Sequence, residues 1–172
     1  MPDIHEPDPL ILTLALDATS FAYFDGLRRE HFPPERNFIP AHLTLFHHLP
    51  GSELARIVAD LRAAADRSAI PLAVTGLRPL GRGVAFALDS PPLVALRRDL
   101  ADLWAGWLGP QDRQGLRPHV TVQNKVSGER AAALLARLHA GFAPFEARGV
   151  GLDLWHYRGG PWERAGAFPF AA

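Results

Sequence analysis

The sequence of 172 residues contains no cysteine, which excludes disulfide bonds, thiolate catalysis and cysteine-based zinc or iron–sulfur sites. It also lacks an excess of one charge sign, because 18 basic residues balance 18 acidic ones. A protein that grips long duplexes usually needs a basic excess to neutralise phosphates, so we expect no extended nucleic-acid binding. Neither a signal peptide nor an apolar run long enough to span a bilayer is evident. We therefore expect a cytoplasmic protein that does not contact membranes.

The apolar content is high enough for a sizeable core. Hydrophobic residues make up 48% of the chain, which predicts one compact domain and needs no covalent cross-links. The acidic, proline-rich segment MPDIHEPDP predicts a flexible leader over residues 1–9. We expect a monomer.

A short motif occurs twice, which indicates an internal repeat. The stretch AHLTLFHHLP (41–50) contains His42 and Thr44, and PHVTVQNKV (118–126) contains His119 and Thr121, each 77 residues later. Neighbouring segments keep this offset, including PPERN (33–37) with PQDRQ (110–114). LALD (14–17) also resembles FALD (86–89), and in both segments the aspartate is placed to cap a following helix.

The hydrophobic periodicity predicts the same elements in both halves. We expect strand 10–17, helix 19–31, strand 41–48, helix 52–67 and strand 71–79, followed by strand 84–89, helix 92–107, strand 118–125, helix 128–140 and strand 146–157. The turn at RGG (158–160) leads to a closing strand over 162–168. The predicted fold is α+β and bilobal, a single domain of two pseudo-symmetric β-α-β-α-β halves (about 10–80 and 84–157) around a central cleft. The periodicity leaves the strand order open.

Strand geometry places each histidine beside its threonine. Alternate residues of a strand point to one face, so His42 projects with Thr44 and His119 with Thr121. A pseudo-two-fold axis would bring both pairs to one cleft. One neutral imidazole could then accept a proton while a charged one donates a proton, and the hydroxyls could bind phosphate oxygens. The competing explanation is that both histidines are structural residues copied by the duplication.

The doubled HLTL and HVTV motifs, with RPH before the second, resemble the 2H phosphoesterase superfamily, which includes the 2′-5′ RNA ligase and cyclic phosphodiesterase proteins. The resemblance covers nearly the whole chain. It implies a bilobal fold and metal-independent chemistry on 2′,3′-cyclic phosphates or 2′-5′ linkages, without a cofactor. It also implies that His42 and His119 are the catalytic acid and base and that Thr44 and Thr121 bind the phosphate. The motifs do not separate hydrolysis from ligation.

Other residues on the two motif strands are weaker candidates for substrate binding. Strict alternation places His48 and Lys125 on the face of the catalytic histidines, where either could neutralise phosphate charge. Phe46 could stack on a base, although core packing is the stronger interpretation. The alternative for His48 and Lys125 is simple solvation beyond the strand ends.

Three arginines and two aromatic residues complete the candidate set. Arg36, Arg113 and Arg117 precede the motif strands and could bind phosphate, although Glu35 and Asp112 could instead hold Arg36 and Arg113 in local ion pairs. Trp155 and Tyr157 alternate on the 146–157 strand and could stack on a base or pack in the core.

The expected function is that of a metal-independent phosphodiesterase acting on a small nucleotide or an RNA terminus. The sequence contains no HExxH motif, and neither His-x-Thr motif contains a carboxylate, so the residues do not favour a metal site. If a ribose hydroxyl enters in place of water, the same groups could form a 2′-5′ bond. The alternative is a module that binds RNA ends or cyclic nucleotides without turnover.

Overall fold

Antiparallel strands and helices alternate along the chain in the computed structural model, which describes residues 7–171. The strands are β1 (Leu10–Leu16), β2 (Leu43–Leu49), β3 (Ile70–Pro79), β4 (Val84–Asp89), β5 (His119–Gln123), β6 (Phe145–His156) and β7 (Glu163–Pro169). The helices are α1 (Ala18–His31), α2 (Leu54–Ala64), α3 (Pro91–Leu103), α4 (Pro110–Arg113) and α5 (Gly128–Gly141), with 3-10 turns at Pro34–Arg36, Gly51–Glu53 and Ala105–Trp107. The predicted α+β class is confirmed.

The element boundaries differ from the sequence prediction mainly at helix ends. The predicted helices 52–67 and 92–107 each include a 3-10 turn, and the short α4 was not predicted. Asp17 caps α1 as expected, since its carboxylate accepts a hydrogen bond from the Ser20 N–H at 3.1 Å. The cap of α3 is Ser90 rather than Asp89, because this helix begins at Pro91 and the residue before the first helical position supplies the cap.

The strands form one sheet whose order reflects the internal repeat. The order is β2-β1-β6-β3-β4-β5, and β7 pairs with the second part of β6. Exchanging β1 with β4, β2 with β5 and β3 with β6 reproduces this order in reverse, so the pseudo-two-fold axis passes between β3 and β6. The third strand of each half therefore pairs with the first strand of the other half, and both motif strands are edge strands.

Helices of each half cover the motif strand of the other half. Helix α1 contacts β5, and the α3 side chain of Arg97 reaches β2. The Arg28 guanidinium of α1 donates to the Thr121 carbonyl at 3.0 Å, and Arg97 donates to the Leu45 carbonyl at 3.1 Å. Both arginines are buried, and they satisfy carbonyl oxygens that two unpaired strand edges would otherwise leave without partners.

A continuous apolar core lies between the sheet and these helices. The largest fully buried side chains are Trp104, Phe24, Phe46 and Phe86. The Trp104 ring packs edge-on against Phe46 at 5.1 Å between ring centroids and donates its indole N–H to Asp60. Within residues 7–171, no helix is long and apolar enough to cross a membrane.

Most of the predicted leader lies outside the described residues, which begin at Pro7. Residues 8 and 9 are bonded to the end of β6. The Pro9 carbonyl accepts the Tyr157 N–H at 2.9 Å, and Asp8 pairs with Arg158 at 2.7 Å. At these two positions the chain is held rather than free.

Candidate active site

A β-bulge follows the motif threonine in β2. Thr44 pairs with Thr13 of β1, but the next pair joins Phe46 to Leu12, so Leu45 is an extra residue. Leu45 and Phe46 are consequently both buried. The bulge reverses the alternation of side chains at the positions that follow it, before a second register shift between Leu12 and Leu10 of β1.

An equivalent bulge occurs in β5. Thr121 pairs with Ala85 and Gln123 pairs with Val84, which leaves Val122 as the extra residue. Val122 lies 77 residues after the bulged residue of β2, so the repeat has preserved the irregularity. After each bulge, the residue that shares the face of the motif pair is the fifth after the histidine rather than the sixth.

This reversal changes two of the predicted site residues. In β2 it places His47, not His48, with the motif pair, and His47 lines a pocket together with Thr44 and His119. In the second half the equivalent residue by sequence is Asn124, which is partly buried and follows the end of β5. The exposed Lys125 adopts a left-handed backbone conformation (φ 61°) beyond the end of β5.

The two motif strands converge although they form opposite edges of the sheet. Strands β2 and β5 are in contact. His42 and His119 are both partly buried, and they are close enough for the positive charge of His119 to lower the pKa of His42. Thr44 and Thr121 are likewise partly buried. The two motif strands therefore bring both imidazoles to one cleft, and Thr44 lines the same pocket as His119.

Both imidazoles are oriented by the same backbone contact. His42 Nδ1 lies 2.9 Å from the Pro40 carbonyl oxygen, and His119 Nδ1 lies 2.9 Å from the Arg117 carbonyl oxygen. A carbonyl oxygen only accepts, so each Nδ1 carries the proton and each neutral ring keeps a free lone pair on Nε2. Nε2 is therefore the ring atom that is available to exchange a proton.

One contact breaks the symmetry of the two histidines. Arg78 Nη1 lies 3.2 Å from His119 Nδ1, but a guanidinium only donates. His119 Nδ1 cannot donate to Arg117 and accept from Arg78 at once. The carbonyl contact is the shorter one, so we assign the proton to Nδ1 and regard Arg78 as a neighbouring positive charge.

The environment favours the neutral form of both rings. Burial lowers the pKa of His42 to about 4, with the Pro40 carbonyl opposing this shift and the positive charge of Arg28 adding to it. The aromatic ring of Trp162 contributes to this burial, since its centroid lies 4.8 Å from that of His42. Burial and the charge of Arg78 also lower the pKa of His119. In the free protein both rings are suited to accept a proton.

A buried carboxylate holds the third histidine of the cleft. Asp112 accepts hydrogen bonds from the backbone N–H groups of His47 and His48, each at 2.8 Å, and lies 3.3 Å from His47 Nδ1. Burial raises the pKa of Asp112, but the hydrogen bonds from these residues outweigh it and the pKa is lowered. Asp112 thereby anchors α4, which precedes the second motif, to the first motif strand.

Two pockets of different character flank the histidines. The aromatic pocket, about 210 Å³, contains His42 and is lined by Phe21, Ile39, Trp155, Trp162 and Arg164. The arginine pocket, about 350 Å³, contains His119 and is lined by Thr44, His47, Arg78, Arg97 and Arg117. A molecule that reacts between the imidazoles would meet an apolar surface on one side and a basic surface on the other.

Several predicted binding residues lie away from both pockets. Phe46 is fully buried between Trp104 and Arg97, so the core interpretation is correct for it. Arg36 and Arg113 are exposed and line neither pocket, and within residues 7–171 neither has a carboxylate within 4 Å.

The two aromatic candidates have different locations. Trp155 lines the aromatic pocket, where its indole N–H donates to Thr13 Oγ1 at 2.9 Å. Tyr157 follows the end of β6, is 44% exposed and does not line the pocket. Strand β6 ends at His156, so Tyr157 lies beyond the strand that carries Trp155.

Sequence reasoning missed several residues of the cleft, among them Trp162, Arg78 and His47. Trp162 comes from the β6–β7 connection, and no spacing rule relates it to a motif. Arg78 reaches the site across the small side chain of Ala85, which is a relation between strands and not along the chain. His47 could have been found, because the consecutive apolar residues Leu45 and Phe46 interrupt the alternation of β2.

The carboxylates and histidines of the cleft do not form a metal site. In the described part of the chain, no group of three or more histidine, aspartate or glutamate side chains is arranged to hold a metal ion. Asp112 is bound by its hydrogen bonds to β2, and Asp153 is paired with Arg164 at 2.8 Å.

Comparison with known proteins identifies the family. The profile of the 2′-5′ RNA ligase superfamily matches residues 16–161. The chain therefore belongs to the 2′-5′ RNA ligase superfamily, a family of enzymes, as the doubled motif predicted.

Solved structures show the same fold. E. coli LigT complexed with 3′-AMP is 19% identical, with a TM-score of 0.64, and the match covers 97% of this chain and 100% of that chain. TT0787 of Thermus thermophilus is 17% identical, with a TM-score of 0.67, over 94% of this chain and 97% of that chain. E. coli LigT complexed with NADP⁺ has a TM-score of 0.60 at 19% identity, over 98% of this chain and 100% of that chain. No curated protein matches the chain.

Proposed function

We propose that this protein is a metal-independent phosphodiesterase that opens a 2′,3′-cyclic phosphate, or cleaves a 2′-5′ phosphodiester, at a nucleotide or RNA end. The observation that carries the proposal is the contact between the two strands that carry the His-x-Thr pairs, with both imidazoles oriented through Nδ1 by a backbone carbonyl. The family membership supports this chemistry. The nucleotides named in the related LigT structures support a small nucleotide as the ligand.

The two imidazoles supply the proton transfers of an in-line displacement. One neutral ring takes the proton of the entering hydroxyl through Nε2 as the new P–O bond forms. The other ring, protonated, gives its proton to the leaving oxygen as the old P–O bond breaks. A phosphate anion between the rings raises the pKa of both, which favours the required protonated form even though the free rings are neutral.

The threonines and the entering group determine the rest of the reaction. The hydroxyls of Thr44 and Thr121 donate hydrogen bonds to the non-bridging oxygens, where charge increases during the displacement. Water entering at a 2′,3′-cyclic phosphate, with loss of the 3′ oxygen, yields a 2′-phosphate. A ribose 5′ hydroxyl that enters in place of water, again with loss of the 3′ oxygen, forms a 2′-5′ linkage, so ligation is the same displacement with a different entering group.

Incubation with the four nucleoside 2′,3′-cyclic monophosphates and with 2′-5′ dinucleotides, followed by mass spectrometry, tests this function. Product should form in the presence of EDTA. His42→Gln and His119→Gln should each lower kcat/KM by about 10²–10⁴-fold, as expected for loss of a general acid or base. His139→Gln, at an exposed position of α5, is the matched control.

The same panel tests a binding module that lacks turnover. Binding of these nucleotides without any product, or full activity of both cleft variants, would contradict the proposed function. Full activity of both variants would show that the histidines take no part in the chemistry. Binding without product would mean that they contact the ligand without catalysing a reaction.

A further inference from the structure

The repeat places different charges at equivalent positions on the two sides of the cleft. Residues paired across neighbouring strands share one face of the sheet. In one half the row runs from Thr44 through Thr13 to Asp153, and in the other it runs from Thr121 through Ala85 to Arg78. The pseudo-two-fold axis therefore superposes a carboxylate on a guanidinium.

The side with Asp153 is compensated in charge. Asp153 pairs with Arg164 at 2.8 Å, and the Arg164 guanidinium lies 4.8 Å from the centre of the Trp155 ring. The walls of this aromatic pocket are otherwise mainly apolar or aromatic. Such a surface suits a nucleobase, which can stack on an indole ring and needs few polar partners.

The side with Arg78 has an excess of positive charge. Within the described chain, no aspartate or glutamate lines the arginine pocket, and neither Arg78 nor Arg117 has a carboxylate within 4 Å. Arg97 adds a buried positive charge, although its donors are bonded to backbone carbonyls and the buried Asp112 carboxylate offsets part of this charge. This concentration of guanidinium groups in a concave surface suits an anion with several acceptor oxygens.

The direction of the reaction relates these two surfaces to one substrate. In an in-line displacement the entering and leaving groups lie on opposite sides of the phosphorus. With His42 on one side and His119 on the other, these groups extend toward the aromatic pocket and the arginine pocket respectively. Water alone would not require a basic pocket of about 350 Å³ on its side.

Building on the proposed function, we propose that the arginine pocket binds a second phosphate of the substrate. The nucleoside lies in the aromatic pocket on one side of the reacting phosphorus. The second phosphate belongs to the group on the opposite side of that phosphorus. The substrate class is then a phosphodiester that joins a nucleoside to a phosphorylated second group. A nucleoside 2′,3′-cyclic monophosphate would occupy only half of this cleft.

A binding experiment tests the second phosphate separately from turnover. The ligands are adenylyl-(2′→5′)-adenosine without a terminal phosphate, with a 5′-terminal phosphate and with a 3′-terminal phosphate. Their Kd values are measured by calorimetry in a His42→Gln background, so that cleavage does not consume them. One terminal phosphate should tighten binding by about tenfold, the low end for charge-assisted hydrogen bonds in a pocket open to solvent.

Two additional substitutions assign that gain to the arginine pocket. Arg117→Gln should remove most of the tenfold gain, and Arg78→Gln should do the same, whereas Arg130→Gln removes the same charge from an exposed position on α5 and should preserve it. The gain should also shrink as salt is raised. Circular dichroism confirms that each variant is folded.

The outcomes separate this proposal from the proposed function. No gain from either terminal phosphate, or an equal loss of the gain in Arg117→Gln and Arg130→Gln, would overturn the second-phosphate site even if the wild-type protein turns over cyclic phosphates. A gain that depends on Arg117, in a protein that forms no product, would support the site and contradict the enzymatic function.

Discussion

The low pKa of His42 predicts that this one ring makes the folded protein sensitive to acid. In the unfolded chain its pKa returns to the ordinary value of 6.5, whereas burial in the fold lowers it to about 4. Because the folded pKa is the lower one, the folded protein binds fewer protons than the unfolded chain between these values. Stability from this ring is fully present above pH 6.5 and is lost as the pH falls toward 4.

The two pKa values give the size of the effect. At about pH 5 the unfolded ring is almost fully protonated and the folded ring is mostly neutral, a difference of about 2 kcal/mol in the free energy of unfolding. The ring is partly exposed, so solvent screening reduces the expected loss to about 1–2 kcal/mol. Removing the imidazole should remove this loss.

Urea unfolding at about pH 8 and about pH 5 measures the effect in wild type, His42→Gln and His48→Gln. Wild type and His48→Gln, whose ring is exposed, should lose about 1–2 kcal/mol more than His42→Gln on acidification. His119 adds a loss in the same direction that all three proteins share, so the difference between proteins is the test. An equal loss in wild type and His42→Gln would refute the reasoning.

Three further substitutions probe the construction of the cleft. Asp112→Ala leaves two backbone N–H groups of β2 unpaired and should lower the free energy of unfolding by about 2–3 kcal/mol in a denaturant titration; a loss below about 0.5 kcal/mol would contradict this role. Trp162→Ala should raise the KM for a nucleotide by about tenfold with a smaller change in kcat, as loss of stacking does, and an unchanged KM would place the base elsewhere. Gly83→Ala would put a Cβ 2.0 Å from a backbone oxygen of β5 and should lower the free energy of unfolding by about 1–3 kcal/mol. Gly106→Ala, whose Cβ would have no atom within 4 Å, should leave the free energy of unfolding unchanged. Equal stabilities of the two variants would contradict the close approach at Gly83.

The sequence was sufficient to predict the repeated elements and the family. Helical stripes and alternating strands are local patterns, and their repetition with a constant offset made the pairing of His42 with His119 evident. The same local rules failed after Thr44 and Thr121. The consecutive apolar residues Leu45 and Phe46 signal an interruption of the first motif strand, but a bulge is set by packing against the neighbouring strand, and the register with β1 is what places His47 rather than His48 beside the motif pair.

The surroundings of the motifs depend on relations between distant segments. An ion pair between Asp112 and Arg113 is one of the two alternatives that the sequence leaves open, but the Asp112 side chain is buried against the backbone of β2, where it satisfies an otherwise unpaired edge. Trp162 covers His42 only because β7 folds back on β6. Strand order decides both contacts, and periodicity along the chain carries no information on strand order.

The third strand of each half pairs with the first strand of the other half, and this arrangement governs the order in which the sheet can form. Strand β1 finds one of its two partners only when β6 arrives, and the pair Leu10–His156 spans most of the sequence. During synthesis the first motif strand and its neighbour therefore wait, with one flank of β1 unpaired, until nearly the whole protein has been made. A chain truncated before residue 145 would expose that flank to other chains, and its expected fate is aggregation rather than a stable half-molecule.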